Sequence, residues 1–394
     1  MAILLALLFW LSAFALLWTY LGYPLLMALR AKLGARPVQQ DEGYLPSLTL
    51  LIPAHNEADV IAEKLENTLS LAYPPDRLQI IVVDDGSTDG TLEIVREFER
   101  RGVTLIRQPE RGGKMAAVNR GMEAASGELV VLSDASPRYE PDALQKLARS
   151  FADPSVGAVV GALRIWDAQN AVAKPAGLYW QYESALRRWE SLTGSTVAVH
   201  GNMFALRRSL YRPLRRHTIN DEFSIAMEVM RQGYRVVYEP EAISYDMASA
   251  TMSDEFKRRV RINAGRFQAL FSAGYLRAPT PELTFRLISH KLLRPLAPVF
   301  MLIALISSFL LMLLTALSFE RTFWFWLLVF FGQDVFYMLA YAGYLAERSG
   351  RSNKLLSVPY FFVSTNLAAL VGLWRWLRNR QSVLWQKRAN VDQA

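Results

Sequence analysis

The 394-residue sequence contains no cysteine. Disulfide bonds and thiolate metal sites are therefore excluded, although the absence indicates little about the cellular compartment. The sequence also has no internal repeat and no low-complexity stretch. A phosphate-binding loop with the spacing GxxxxGKS or GxxxxGKT is missing as well, so any phosphate contact must come from another kind of segment.

Charge and hydrophobicity are unevenly distributed along the chain. Hydrophobic residues make up 52% of the sequence and form long runs at both ends, whereas the middle is rich in charge. The net charge is +8. Basic residues beside the apolar runs are Arg30, Lys32, Arg36, Arg375, Arg378, Arg380, Lys387 and Arg388. Because this placement is typical of chains that face a membrane surface, membrane lipids and not a nucleic acid are the predicted partners.

The amino-terminal run predicts a transmembrane anchor over residues 1–29. No charge interrupts it before Arg30, no basic residue precedes it, and it is longer than the apolar part of a cleaved signal peptide. The basic residues that follow predict that residue 30 onward is cytoplasmic. Residues 30–45 are polar and are interpreted as a linker along the membrane surface.

A carboxy-terminal membrane region is predicted over residues 295–377. Its apolar segments are 295–317, 322–346 and 355–377, and the first two predict a hairpin. The third either crosses the membrane or re-enters it. Pro359 and Asn366 favour a broken helix, which would keep the basic tail of residues 378–394 in the cytoplasm.

Between residues 46 and 250, short apolar runs alternate with stretches of helical spacing. Strands are predicted at 47–52, 79–83, 104–107 and 128–132, and helices at 57–69, 91–99 and 114–125. This alternation predicts a parallel sheet that is covered by helices on both faces.

Four acidic clusters are the strongest functional signal, and three of them follow predicted strands. The clusters are residues 52–57, 84–89, 133–136 and 220–223. In open α/β sheets, ligands bind at the carboxyl ends of the strands. A nucleotide diphosphate with its divalent metal would supply the counter-charge that such a site needs.

The order of these clusters resembles that of the family-2 glycosyltransferases, over roughly residues 46–270. The resemblance implies an α/β fold of GT-A type, with a mixed, mostly parallel sheet flanked by transmembrane helices. It also implies a nucleotide-sugar donor, with a UDP-sugar favoured. The likeness is to bacterial membrane-bound synthases of cellulose, hyaluronan or poly-N-acetylglucosamine. An integral protein of a bacterial inner membrane with a cytoplasmic catalytic domain is therefore expected.

The resemblance assigns the donor site to the first two clusters and to the glycine-rich segment 111–114. The residues carried over are Pro53, Ala54, Glu57, Asp84, Asp85 and Lys114. A plainer alternative is that the acids cap the helices that follow and that Lys114 is a solvated residue after a turn. Capping does not explain two consecutive carboxylates at the end of a buried strand.

Residues 133–136 take the position of the DxD motif, in which two carboxylates hold Mg²⁺ or Mn²⁺ against the diphosphate. Asp134 matches the first carboxylate, but Ser136 replaces the second. One carboxylate with phosphate and water oxygens still suits Mg²⁺. A weakened Mg²⁺ or Mn²⁺ site at Asp134 and Ser136 is therefore expected, and a polar cap at a strand end is the alternative.

The fourth cluster resembles the segment that carries the general base. Counted back from Gly233 and Tyr234, Glu222 falls where the family has its catalytic aspartate, and Asp221 is the rival. An acidic cap of the following helix is the structural alternative. Gly201 and Asn202 lie in a segment similar to the one that lines the acceptor pocket.

Residues 258–262 stand where processive members carry a Gln-x-x-Arg-Trp motif. The resemblance implies that Arg258 and Arg261 bind the diphosphate. Ile262 replaces the tryptophan, which weakens a processive interpretation. The alternative is a basic amphipathic helix on anionic lipid, and residues 251–294 are interpreted as interfacial helices.

The sequence thus predicts a membrane-bound inverting glycosyltransferase that acts on a lipid-linked or polysaccharide acceptor. Two alternatives stay open at this point. One is a processive exopolysaccharide synthase, and the other is a non-catalytic relative that binds nucleotide sugar as a sensor or scaffold.

Overall fold

A computed structural model describes residues 1–166, 173–247, 251–349 and 354–382, and only the backbone of residues 173–176, 178 and 354. The end of the basic tail, from residue 383, lies outside the described residues. The described strands form one sheet. They are β1 Leu48–Ala54, β2 Leu78–Asp85, β3 Val103–Gln108, β4 Leu129–Leu132, β5 Arg138–Tyr139, β6 Val156–Ile165, β7 Phe204–Arg207 and β8 Arg235–Asp246.

The sheet has a parallel half and a mixed half, in the order β3-β2-β1-β4-β7-β6-β8-β5. β1, β2, β3 and β4 run parallel, with Ala54 opposite Asp84 and Leu51 opposite Leu132. β7 runs antiparallel to both β4 and β6, β8 is parallel to β6, and β5 is antiparallel to β8. The predicted α/β fold with a mixed, mostly parallel sheet is confirmed. The carboxyl ends of β1, β2 and β4 open at one edge.

The helices divide between the sheet and the apolar ends of the chain. They are α1 Ala2–Leu17, α2 Tyr23–Leu33, α3 Ile61–Leu69, α4 Thr91–Glu99, α5 Lys114–Ala124, α6 Ala143–Arg149, α7 Ala173–Leu192, α8 Asp221–Arg231, α9 Met252–Phe267, α10 Pro281–Arg286, α11 Leu293–Leu317, α12 Phe323–Arg348 and α13 Lys354–Leu377. Alternate side chains of β1 enter cores on opposite faces: Leu51 on the face of α5 and α8, and Leu50 on the face of α3 and α6.

The helix predicted from residue 57 begins only at Ile61, so its predicted start is wrong. Asn56 takes a left-handed backbone conformation, with φ of 56°. The backbone N–H of Glu57 donates to Thr91 Oγ1 at 2.8 Å. This side-chain partner holds residues 56–60 in a loop before the helix.

Four described helical segments are long and apolar enough to cross a membrane. They are Ala2–Leu33, Pro281–Leu317, Phe323–Arg348 and Leu355–Leu377. The second contains α10 and α11, joined by the π-helical turn Leu287–Leu292. The chain is therefore helical across residue 294, where the interfacial helices were predicted to end.

The broken helix that was predicted within residues 355–377 is wrong, because α13 is continuous. Pro359 lies inside the helix, one turn and a half from its start, and removes one backbone hydrogen bond without ending it. Asn366 donates from its side chain to the Phe362 carbonyl at 2.9 Å and so stays within the helix. Residues 350–353 of the polar loop before α13 lie outside the described part of the chain.

Candidate active site

The glycine-rich loop is tied to the end of β2 by Asp85. Its carboxylate accepts hydrogen bonds from the backbone N–H of Gly112 at 2.6 Å and of Gly113 at 2.9 Å. Burial raises the pKa of Asp85, against these hydrogen bonds. Gly113 has φ of 87°, which favours glycine. Asp85 thus positions the loop that leads to Lys114.

The other predicted donor residues lie beside this loop. Pro53 and Ala54 end β1 and pair with Val83 and Asp84. Asp84 is buried and accepts from the backbone N–H of Ser87 at 3.2 Å, so it shapes the turn after β2. The structure therefore brings the predicted residues of both strands to one edge.

Asn56, which the sequence analysis did not select, links these two strand ends. Its side-chain oxygen accepts from the Thr88 N–H at 2.8 Å, and its backbone N–H donates to Ser87 Oγ at 3.0 Å. Its left-handed backbone gives no clear sequence signal, although asparagine is among the residues that adopt it most readily. Glu57 follows Asn56 directly at the same edge of the sheet.

Lys114 is the centre of the site, because the first residue of α5 meets three carboxylates. Its Nζ lies 2.7 Å from Asp134 Oδ1, 3.1 Å from Asp221 Oδ2 and 2.5 Å from Glu222 Oε1. Burial opposes the charged form of Lys114, but the three acids outweigh it and raise its pKa well above the usual value. Residues that are distant in sequence thus converge around one cation.

Asp221 and Glu222 are the first two residues of α8, and both are buried. Burial, and then the charge of Asp221, raise the pKa of Glu222 to about 8 despite the nearby Lys114. A carboxylate with a pKa in this range is well matched to accepting a proton near neutral pH. Among the side chains at this site, Glu222 therefore has the properties expected of a general base.

Gly201 lies between Asp134, which follows β4, and Glu222 of α8. Its carbonyl accepts a hydrogen bond from the Asp134 N–H at 3.0 Å. A Cβ atom at this position would overlap the Glu222 carboxylate and would come within 3.1 Å of Asp134 Oδ2. Only glycine therefore fits here without displacing a carboxylate.

Asp246, at the end of β8, is the main residue that the sequence analysis missed. Its carboxylate accepts from Asn202 Nδ2 at 2.8 Å and from Ser136 Oγ at 3.2 Å. Asn202, predicted to contact the acceptor, is therefore bonded to this acid. The position where the DxD motif lacks its second carboxylate thus gains one from another strand.

Lys64 is a second residue that the sequence analysis missed. It is buried, and its Nζ donates to the Pro137 carbonyl at 2.7 Å. Burial lowers its pKa to about 7, although Asp134 and Asp246 act in the other direction. A lysine on the apolar face of α3, between Ile61 and Leu65, was the available signal.

The residues around Asp134 offer oxygen donors, which suit Mg²⁺ or Mn²⁺. They are the carboxylates of Asp134 and Asp246 and the hydroxyl of Ser136. Within the described residues, no group of three or more His, Cys, Asp or Glu side chains could hold a metal ion. Protein ligands therefore fit such an ion only together with oxygens of a substrate or water.

Arg258 and Arg261 lie on α9, which borders the start of α8 through a bond from Asn220 Nδ2 to the Ile262 carbonyl. Arg258 donates to Glu255 from Nε at 2.9 Å and from Nη2 at 3.0 Å. Glu255 therefore holds Arg258 within its own helix. Arg261 is half-buried on the same helix.

Residues 49–215 match the model of the family described as Glycosyl transferase family 2. The chain carries a family-2 glycosyltransferase domain. "Probable glycosyltransferase YdaM" of Bacillus subtilis (strain 168) is 31% identical over 230 residues, which are 55% of this chain and 54% of that protein. "Poly-beta-1,6-N-acetyl-D-glucosamine synthase" of Staphylococcus aureus (strain MSSA476) is 28% identical over 249 residues, 61% of this chain and 60% of that protein. The chain thus spans little more than half the length of these relatives.

A similar solved structure covers nearly the whole chain. It is the mannosyltransferase PcManGT from Pyrobaculum calidifontis in complex with GDP-Man and Mn²⁺, with a TM-score of 0.71 and 25% identity. The match covers 94% of this chain and 99% of that one. The sheet with its flanking apolar helices is therefore of the GT-A type.

Proposed function

We propose that this protein is an inverting glycosyltransferase that moves a sugar from a UDP-sugar to a lipid-linked or polysaccharide acceptor. The observation that carries the proposal is the convergence of Lys114 with Asp134, Asp221 and Glu222 at the carboxyl edge of the sheet. The family-2 domain supports the reaction class. Because the solved mannosyltransferase holds GDP-Man, a GDP-sugar is the second donor to test.

Glu222 is the proposed general base. It takes the proton of an acceptor hydroxyl while that oxygen forms a bond to the anomeric carbon of the donor. The bond from the anomeric carbon to the diphosphate breaks, and its electron pair leaves with the nucleotide. Lys114 offers a positive charge beside the departing group. Asp221 keeps the Glu222 pKa high enough for proton transfer near neutral pH.

The donor nucleotide is proposed to bind along the rim formed by Pro53, Ala54, Glu57, Asp84 and Asp85. The glycine loop that Asp85 holds supports this assignment, because its backbone can approach a ligand closely. Arg258 and Arg261 are proposed to reach the diphosphate from α9. For Arg258 this would require release from Glu255.

A divalent metal fits Asp134 and Ser136, and we infer that Asp246 supplies the second carboxylate. The ion would neutralise charge on the diphosphate and so assist its departure. We propose Gly201 and Asn202 as the acceptor side of the same site.

The catalytic domain is proposed to lie on the cytoplasmic face of a bacterial inner membrane. The four candidate spans support an integral membrane protein. Arg30 and Lys32 lie in the last turn of α2, where the first candidate span ends, which supports a cytoplasmic position for the sheet. Membrane lipids are the proposed partners of these basic residues.

A processive polysaccharide synthase is the second candidate, because the Staphylococcus aureus relative is named as one. The length distribution of the product separates the two. A single added sugar indicates the lipid-directed transferase, whereas a long polymer indicates the synthase.

The function is tested by nucleotide release from the detergent-purified full chain. A panel of UDP- and GDP-sugars is compared with Mg²⁺, with Mn²⁺ and with a chelator, beside Asp134→Ala and Glu222→Gln. Glu66→Gln, which breaks only an exposed pair with Arg101, is the matched control. Release with one donor that is lost in both site variants and kept in the control supports the proposal. Binding of nucleotide without any release, even with added acceptor lipids, contradicts it.

A further inference from the structure

A second cluster of charge lies where the family-2 domain meets the candidate membrane helices. We call it the junction cluster: Glu183, Arg187 and Glu190 of α7, Arg266 of α9, and His290, Lys291 and Arg294 around the start of α11. All but Arg266 are less than a tenth exposed. The proposed transfer reaction uses none of them.

The two carboxylates of the junction cluster are already occupied. Glu190 accepts hydrogen bonds from the Tyr23 hydroxyl at 2.6 Å and the Thr196 hydroxyl at 2.8 Å, and His290 Nδ1 lies 2.8 Å away. Glu183 is paired with Arg294. Burial opposes the charged form of Glu183, but Arg294 and His290 outweigh it and hold its pKa well below the usual range.

Lys291 has no hydrogen bond or ion pair with any residue that the structure describes. Its Nζ lies 5.6 Å from the centre of the Phe223 ring, and Phe223 directly follows Glu222. Arg266, Glu183, Glu190 and Arg187 all act electrostatically on this buried lysine. The lysine therefore lies against the residue that follows the proposed base, and no carboxylate of the described residues pairs with it.

Two arginine atoms of the cluster are also without an acceptor. Arg187 Nη1 and Arg294 Nε are buried, and neither has a hydrogen-bond partner within the described part of the chain. The Arg187 guanidinium lies 5.0 Å from the centre of the Trp180 ring, and Trp180 packs edge-on against His200 at 5.7 Å. His200 directly precedes Gly201, which lies against the carboxylates of Glu222 and Asp134. This face of the cluster is therefore one residue away from the candidate active site.

The cluster thus contains more positive than negative charge. Its cations Arg187, Arg266, Lys291 and Arg294 outnumber its two carboxylates, Glu183 and Glu190. Buried charge without a counter-ion is costly, and unsatisfied donors add to that cost. An anion with several acceptor oxygens would neutralise the excess charge and accept hydrogen bonds from the unsatisfied donors. A phosphate group has both the negative charge and the acceptor oxygens.

We propose that the junction cluster binds the phosphate of a lipid acceptor, which makes the acceptor class a lipid-linked sugar joined through phosphate or diphosphate. The inference rests on the proposed transferase function and names its acceptor. Lys291 lies near the start of the candidate span Pro281–Leu317, so a bound phosphate sits at the membrane surface with its lipid chain in the bilayer. Lys291 lies against Phe223, the residue after Glu222, so the bound phosphate is near the base that receives the proton of the sugar hydroxyl.

The test uses the full chain in maltoside detergent with hexadecyl phosphate, hexadecanol, inorganic phosphate and UDP as separate ligands. We expect hexadecyl phosphate alone among the first three to raise the melting temperature. Lys291→Met should weaken hexadecyl phosphate binding at least about tenfold, because one charge-assisted contact is lost. Lys291→Arg should retain most of it, and UDP binding should be unchanged in both.

The matched control is Lys257→Met, which removes an exposed lysine of α9 that pairs with Asp254. It should leave every ligand response unchanged. Lys291→Gln gives the same comparison should the Met variant fail to fold. Retained lipid-phosphate binding in Lys291→Met or Lys291→Gln would overturn the proposal.

Two further outcomes would identify a different anion as the ligand and would also overturn the lipid-phosphate proposal. Equal stabilisation by inorganic phosphate indicates a site for free phosphate. Loss of UDP binding in Lys291→Met, with no response to hexadecyl phosphate, assigns the cluster to the diphosphate of the donor. If hexadecyl phosphate binds as expected but no nucleotide sugar is turned over, the transferase proposal fails while the phosphate site stands.

Discussion

Lys114 and Lys291 lie on two sides of the Glu222–Phe223 segment and have opposite surroundings. Lys114 has three carboxylates within 3.1 Å of its Nζ. Lys291 lies 5.6 Å from the centre of the Phe223 ring, and Arg266 and Arg187 are among the charges that act on it. The first cluster can therefore bind a further cation once a diphosphate adds negative charge, whereas the second requires an anion. Charge balance, more than residue type, distinguishes the donor side from the membrane side of this site.

The largest expected effect is at the acid beside Lys114. Glu222→Gln should lower the rate of sugar transfer by about a hundredfold to ten-thousandfold, because proton transfer to a positioned base is lost. Nucleotide release at saturating donor measures it, with nucleotide binding as the check on folding. If Asp221→Asn costs more than Glu222→Gln, Asp221 is the base.

A methyl group between the two acids should have the next largest effect. Gly201→Ala places a Cβ atom against the Glu222 carboxylate, and displacing a reacting group by about 1 Å can cost about a hundredfold in rate. Gly177→Ala in α7 is the control, because open space surrounds its added Cβ. Equal rates for the two variants would show that Gly201 does not keep the acids in place.

Removing the second acid near Ser136 should affect the metal requirement. Asp246→Asn is expected to raise the metal concentration for half-maximal activity by about tenfold to a hundredfold. Titration of Mn²⁺ at fixed donor measures the change. Glu241→Gln on the same strand, which weakens the pairs with Lys146 and Arg149 and lies away from Ser136, should leave the titration unchanged. An unaltered requirement in Asp246→Asn would leave Asp134 as the metal carboxylate.

The two lysines should differ in the sign of their effect on stability. Lys114→Met should lower the melting temperature, because it leaves Asp134, Asp221 and Glu222 facing each other without a counter-charge. Lys291→Met should raise the free energy of unfolding by about 1–3 kcal/mol, because a largely buried amine without a hydrogen bond to any described residue is replaced by an apolar side chain. Melting without ligand measures both. If the melting temperatures of both variants shift in the same direction, the two lysines do not have opposite surroundings.

The smallest expected effect is a shift in pH dependence. Glu222 must lose its proton to act as a base, so the rate should rise with pH and level off above its pKa of about 8. Since the charge of Asp221 raises that pKa, Asp221→Asn should move the midpoint to lower pH. A pH–rate profile at saturating donor measures it, and an unmoved midpoint would contradict the assignment of the titrating group.

The sequence was sufficient for the parallel half of the sheet. β1, β2 and β4 are short apolar runs that end in polar clusters, and neighbouring parallel strands bring such ends to one edge. This local pattern is enough to predict that Asp85 and Asp134 lie near each other. Because Lys114 follows a glycine pair at a helix start, its place beside them was also predictable.

The mixed half was less accessible from the sequence. The apolar pattern of β8 is interrupted by Glu239, Pro240 and Glu241, although the strand itself is continuous. The strand ends in a single acid, Asp246, which belongs to no recognisable motif. Its antiparallel pairing with β5 sets Arg138 opposite Tyr245 and joins segments distant in the chain, so Asp246 becomes a neighbour of Ser136 only in the folded sheet. The start of α3 was misjudged because its partner Thr91 lies on the next helix of the sheet domain, beyond what a local pattern reveals. The continuity of α13 was misjudged because a proline and an asparagine were given more weight than the apolar run around them.

The sequence by itself determined the α/β domain, its apolar flanking helices and the order of the acidic clusters, because apolar period and strand-end chemistry are local properties. Only the tertiary structure decided that Asp246 completes the acids near Ser136 and that Lys291 pairs with no carboxylate in the described part of the chain. Both depend on which charges burial brings together from distant segments, and burial is what makes each charge costly enough to require a partner.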